Sequence, residues 1–257
     1  MLTFRNTNIV FILLLVLALA INQFTHLPFF GYLLLLLGYS LVVFYGCYEV
    51  SSGFFLPVYC AAINGKKEIA LSFDDGPATQ YTIETLQVLK EQEVKAAFFC
   101  IGHRIKGNEQ LLQAVHRQGH LIGNHSYSHH YWFDLFSSKK MLADMQQMDQ
   151  EVLRVTGMQP KIFRPPYGVI NPNLKKAIIR GKYTPVGWSV RSMDTVIKDE
   201  QKLYKKIKRA LQPGAVFLFH DTSRTTLAVL PGFIKWVREN GYEIVRLDQL
   251  LQIKPYA

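Results

Sequence analysis

The chain has 257 residues, a formal net charge of +10 and a hydrophobic content of 49%. That length suits one or two domains. Three cysteines, Cys47, Cys60 and Cys100, exclude a framework of paired disulfides. The basic residues form no Lys/Arg run with interleaved aromatics, so nothing singles out nucleic acid as a partner.

Two charge-free apolar runs come first, "IVFILLLVLALAI" (9–21) and "PFFGYLLLLLGYSLVVFYGCY" (28–48). The second matches the ~20 residues a bilayer-spanning helix needs. The first is shorter, with Arg5 ahead of it, and fits either the apolar part of a signal segment or one arm of a helical hairpin. Arg5 and Glu49 are the only Lys, Arg, Asp or Glu residues of the first fifty, so the charge of +10 belongs to the remainder. Residues 1–50 therefore read as a membrane anchor and 51–257 as a globular domain. Orientation stays open: with one span the domain lies across the membrane from the N-terminus, and with two it returns to the same side.

Beyond Ser51, short apolar runs alternate with amphipathic stretches. Strands are predicted at 69–73, 96–101, 120–124, 161–164, 184–190, 215–220 and 242–245. Helices are predicted at 80–91, 108–118, 138–155, 172–179, 199–211 and 226–239. This alternation indicates a parallel sheet covered by helices. Polar residues collect at the C-terminal ends of the strands: Asp74 and Asp75, Asn124 and His125, Arg164, Asp194, His220 and Asp221. In barrels of parallel strands that is the end where active sites form. Cys100, closing "AAFFC", reads as a buried thiol.

"NHSYSHH" (124–130) places His125 and His129 at i, i+4, a spacing that aligns two imidazoles on one face of a helical turn. With a carboxylate from Asp75 they make a donor set suited to a catalytic Zn²⁺ with open positions. The same set suits Fe²⁺, Co²⁺ or Ni²⁺. Asp74 is then left to accept a proton, and a cation beside the pair offsets the repulsion of adjacent carboxylates.

"SFDDGP" (72–77), "HSYSH" (125–129), "RPPYG" (164–168) and "LFHD" (218–221), in this order, resemble the polysaccharide deacetylase family, the NodB-homology domain of carbohydrate esterase family 4. The resemblance covers about residues 66–250. It implies a distorted (β/α)7 barrel, here preceded by one or two transmembrane helices, and metal-dependent removal of acetyl groups from sugars. It assigns Asp74 as the base, Asp75, His125 and His129 as metal ligands, and Arg164 as the partner of the base. It further assigns the Tyr167 N–H as oxyanion donor, His220 as the general acid, Asp194 as its carboxylate partner, and Leu218 as a wall of the acetyl pocket.

The chain departs from the family pattern at "WSVRSMDT" (188–195). Arg191 stands where the family's Asp-x-x-Asp-Trp has its first Asp, and Thr195 replaces the Trp. Trp188 or Trp132 then becomes the candidate for the open side of the pocket. The expected activity is N-deacetylation of N-acetylglucosamine units in an envelope glycan such as peptidoglycan, with the membrane as the other partner and no obligate protein partner evident. The expected location is membrane-anchored, with the catalytic domain outside the cytoplasm. An O-acetyl esterase and a non-catalytic glycan-binding module are the alternatives.

Overall fold

The structure, a computed structural model, describes residues 2–257. Two antiparallel helices come first, α1 (Phe4–Thr25) and α2 (Phe29–Tyr48). Thr3 caps α1 by accepting from the Asn6 N–H, and a left-handed His26 ends it. The helices hold each other through Tyr39, whose hydroxyl donates to Asn8 Oδ1 at 2.7 Å and whose ring centre lies 4.3 Å from that of Phe11. Both are long and apolar enough to cross a membrane. The run at 9–21 is thus part of a 22-residue helix packed on α2. The start of α1 and the end of α2 both meet the domain: the Phe4 N–H donates to Phe54 O at 2.9 Å and the Ile170 N–H to Cys47 O at 3.0 Å.

The domain contains β1 (Glu68–Asp74), β2 (Ala97–Cys100), β3 (Leu121–Asn124), β4 (Ile162–Phe163), β5 (Thr184–Pro185), β6 (Val190–Arg191), β7 (Val216–His220) and β8 (Glu243–Ile244). Its helices are α3 (Thr79–Glu91), α4 (Glu109–Arg117), α5 (Ser138–Thr156), α6 (Pro172–Gly181), α7 (Glu200–Arg209), α8 (Arg224–Glu239) and α9 (Leu247–Leu251). Side-chain caps start most of them: Ser137 for α5, Asn171 for α6, Asp199 for α7 and Ser223 for α8. The strands are parallel in the order β5-β4-β3-β2-β1-β7-β6, with β8 beside the start of β1. Strands alternate their side chains between two faces. On β1, Ile69, Leu71 and Phe73 pack outward with Phe98, Phe217 and Phe219 under the helices. Ala70 packs on the opposite face with Phe99 and Val216, the side toward which Ser72 and Asp74 also alternate.

The barrel is distorted at one seam. The single strand expected over 184–190 is two short ones, β5 at one edge of the sheet and β6 at the other. Pro185 lacks an amide for further pairing, and Gly187 is pressed against Cys60 and Val50, where a Cβ would come within 2.6 Å of the Cys60 sulfur. Residues 186–189 therefore link the two edges. The segment leaving α2 runs along this seam: Tyr59 bridges to Val186 and Ala61 to Ala215.

Candidate active site

Asp74 ends the central strand β1 and is only 3% exposed. Its charge is met by Arg164, whose Nη1 donates to Asp74 Oδ1 at 2.7 Å and to Ser72 Oγ at 2.9 Å. Nη2 of the same guanidinium donates to Gly187 O at 2.7 Å, in the seam, and the group lies 4.0 Å over the Phe99 ring. Arg164 is fully buried. Small side chains on β1, Ala70 and Ser72, leave it room.

Asp75 follows with a φ of 77°, which turns the chain away from the strand before Gly76 and Pro77. Its carboxylate lies 3.7 Å from His125 Nε2 and 3.5 Å from His129 Nε2. The three donor atoms lie within 4.8 Å of one another. The helical turn expected for 125–129 is absent, because Ser126 and His129 take φ values of 65° and 42°. The two imidazoles converge instead through a loop pinned by side chains. Asn124 Oδ1 accepts from the Ser126 N–H at 2.8 Å, and Ser126 Oγ accepts from the His129 N–H at 2.9 Å. Asp144 of α5 accepts from the Tyr127 N–H at 2.7 Å. Left-handed residues concentrated at one place are a mark of functional sites.

The chemistry of this donor set fits a divalent cation. His125 Nδ1 lies 2.8 Å from the Arg164 carbonyl, and this pairing turns Nε2 toward Asp75. Burial and the neighbouring His125 push His129 down to about 4, so its imidazole is neutral at pH 7, as a metal ligand must be.

Across the pocket stands His220, the last residue of β7. Its Nδ1 lies 2.8 Å from Asp194 Oδ1, and its backbone N–H donates to Asp194 Oδ2 at 2.8 Å. Asp194 is fully buried and also accepts from the Ser192 and Thr226 hydroxyls. Burial opposes the charge on His220, but the hydrogen bond and charge of Asp194, with Asp74 and Asp75, prevail and raise it to about 9. At neutral pH this histidine is a proton donor.

These groups share one cavity of about 310 Å³. Asp74, Asp75, His125, His129, Tyr167, Trp188, Leu218 and His220 all line it. Arg164 and Asp194 stand behind the wall as partners. Trp188 is the tryptophan that reaches the cavity; Trp132 lies outside it, more than half exposed. Arg191 and Thr195 line the cavity too, the Arg191 guanidinium 5.8 Å from the Trp188 ring centre. The carboxylates around His220 set its charge, and Arg191 does not prevent the rise.

Ser72, Asn124, Asp144 and Asp221 are positioning groups to which the sequence assigned no role. Asp221 is buried beneath the Asp75 turn, with Oδ2 accepting from Thr82 Oγ1 at 2.6 Å and Oδ1 without a partner among the described residues. Complete burial pushes its carboxyl up to about 7 against the Thr82 hydrogen bond, and Asp75 and Asp74 add to the rise. Its position next to His220 was the available signal. A Cβ on Gly76 would lie 2.1 Å from Asp221 Oδ2. Gly76→Ala is therefore expected to destabilise the fold by about 1–3 kcal/mol and to displace Asp75. Denaturant unfolding checks this, and unaltered stability would mean that the turn has slack.

An incompletely closed parallel barrel gathers buried carboxylates, His220 and a metal-type donor set at its C-terminal strand ends, on a fold shared with a solved carbohydrate esterase. The sequence profile of the polysaccharide deacetylase family matches residues 61–186. The chain belongs to that family, whose hydrolases act on non-peptide carbon–nitrogen bonds. It is 33% identical over 190 residues to the peptidoglycan-N-acetylmuramic acid deacetylase PdaA of Bacillus subtilis, covering 72% of each chain. It is 31% identical to a peptidoglycan-N-acetylglucosamine deacetylase of Bacillus cereus, covering 70% of each. The solved structure of Bacillus subtilis PdaA, a family 4 carbohydrate esterase, superposes with a TM-score of 0.70 at 31% identity, covering 76% of this chain and 85% of that one.

Proposed function

We propose that the protein removes N-acetyl groups from N-acetylglucosamine units of an envelope glycan such as peptidoglycan. In this reading residues 1–50 anchor it in a membrane and residues 51–257 form the catalytic domain outside the cytoplasm. The observation that carries the reading is the placement of a buried Asp74–Arg164 pair and a protonated His220–Asp194 pair on one cavity, beside Asp75, His125 and His129. The relatives named for peptidoglycan support the substrate, and the apolar hairpin supports the anchor.

Amide hydrolysis adds water across the C–N bond, giving acetate and a free amine. Asp74 takes a proton from the attacking water. Arg164, 2.7 Å from that carboxylate, holds it in orientation before attack. The Tyr167 N–H donates to the oxygen as charge develops on it. His220 gives its Nε2 proton to the departing nitrogen, which leaves poorly unless protonated. Leu218 and Trp188 wall the acetyl methyl. Asp75, His125 and His129 would hold a divalent cation, Zn²⁺ above all with Co²⁺, Ni²⁺ or Fe²⁺ as substitutes, supplying Lewis-acid polarisation and acidified water.

Acetate release by the full-length protein in detergent tests this reading, with N-acetylated and O-acetylated oligosaccharides side by side. N-acetylated substrates should be turned over, chelation should abolish release, and Zn²⁺ or Co²⁺ should restore it. His129→Ala should retain the fold and lose bound metal by mass spectrometry. Undiminished turnover by a metal-free preparation would contradict the assignment, and release from O-acetyl substrates alone would make the protein an esterase.

A further inference from the structure

The segment that joins the hairpin to the barrel is no tether. Val50, Phe54 and Phe55 are 3%, 2% and 5% exposed and pack with Phe133, Ile170 and Leu174 of the domain. Phe54 fills the space beside Gly46, where a Cβ would come within 2.1 Å of its ring. Hairpin and barrel therefore meet through a packed core, and the barrel has a fixed attitude to the helices.

That attitude brings the cavity mouth to the end of α2. Cys47, in the last turn of α2, accepts the Ile170 N–H at 3.0 Å. Ile170 follows Tyr167, a mouth residue, by three positions, and three residues span at most ~10 Å. The mouth thus lies within roughly 15 Å of the helix end. With 20 residues, α2 is about 30 Å long, the thickness of a hydrocarbon core. Its last turns expose Phe44 together with Tyr45 and Tyr48, and tyrosine is a residue type that sits at the headgroup level.

A second apolar patch continues from this point. Asn171, next to Ile170, donates through Nδ2 to Asp134 O at 2.5 Å. Around Asp134 the loop exposes Tyr131, Trp132 and Leu135, each more than half accessible. Lys140 follows, its ammonium 3.5 Å over the Phe136 ring. Aromatic rings, a bare leucine and a lysine on an apolar stem match a bilayer interface. A sugar platform has use for the rings and none for Leu135.

We propose that the Tyr131–Leu135 loop inserts into the interface of the membrane that holds the hairpin, so that the cavity opens at the bilayer surface. The substrate is then an N-acetylated glycan carried on a lipid within the headgroup layer, not a strand held far above it. This rests on the anchored N-deacetylase reading and specifies its substrate. Amide cleavage itself is unaltered.

The test uses the full chain reconstituted in phosphatidylglycerol-containing vesicles. One N-acetylglucosamine oligosaccharide is supplied free, on a lipid through a short spacer, or on the same lipid through a spacer longer than ~30 Å, the span of a helix such as α2. Turnover of the short-spacer glycolipid is expected to exceed both other forms at least tenfold. Brominated lipids should quench tryptophan emission of the wild type more than that of Trp132→Phe. Trp132→Ser with Leu135→Ser should lose the preference for the glycolipid and retain turnover of the free oligosaccharide. Turnover of the long-spacer form alone, or equal quenching in both proteins, would overturn the proposal. So would equal loss on free and lipid-borne glycan in the double variant, which would make the loop a sugar platform. Acetate release from none of the three would count against the deacetylase reading, while the quenching would still decide where the loop lies.

Discussion

Asp74→Asn is expected to lower kcat by about 10²–10⁴-fold, the usual worth of a positioned base, with metal binding retained because Asp75, His125 and His129 remain. The carboxylate is 3% exposed and Arg164 is fully buried, so the substitution removes one partner of an ion pair shut off from water. Removing one partner of such a pair destabilises by roughly 3–5 kcal/mol. The variant should therefore melt earlier as well as turn over slowly. Kinetics run well below its melting temperature, with metal content measured in parallel, separate the two effects. Wild-type kcat in a folded, metal-loaded Asp74→Asn protein would remove Asp74 from the mechanism.

Asp194→Asn is expected to move the basic limb of the pH–rate profile to lower pH. That limb reports loss of the proton on the general acid. His220 is raised to about 9 chiefly by the hydrogen bond and charge of Asp194, against the opposing effect of burial. Asp74 and Asp75 add to the rise, but a cation at the neighbouring triad would offset their part. Asp194 is the support that remains, and without it burial dominates and the acid titrates earlier. Stability should follow the same group. A histidine near 6.5 when unfolded and about 9 when folded contributes stability that is complete below pH 6.5 and lost as pH rises through 9. The wild type should lose stability across that window, and Asp194→Asn should lose less. A basic limb unmoved by the substitution would mean that His220 is not the acid.

The barrel and its longer helices were legible because the strands are short apolar runs and the helices between them are amphipathic, several of them capped by a side chain. The seam was harder to see. "TPVGWSV" is apolar enough for one strand, but a proline at its second residue and a glycine at its fourth divide it between two sheet edges. The short α9 gave no expectation at all. In the site, the spacing of His125 and His129 predicted convergence, yet for the wrong geometry. Helical periodicity and a pinned left-handed loop both bring residues four apart together, and only the side-chain bonds from Asn124, Ser126 and Asp144 distinguish them. Asp221 was placed at a strand end but given no role, because that role comes from contact with Gly76, a neighbour across the fold that sequence order does not reveal. The packed junction between hairpin and barrel was equally hidden, since residues 50–60 carry no periodic pattern.

Arg164 reaches both Asp74 and the carbonyl of Gly187 in the gap between the sheet edges. One side chain thereby ties the proposed base to the closure of the barrel. A lineage that no longer needed the activity could not discard Asp74 freely, for the stranded guanidinium would weaken the seam, and discarding Arg164 as well would leave that gap unfilled. Purifying selection for a folded protein would then preserve the base long after selection for turnover had relaxed. A persisting Asp–Arg pair in such a descendant would testify to architecture first, and to catalysis only together with its metal ligands and acid.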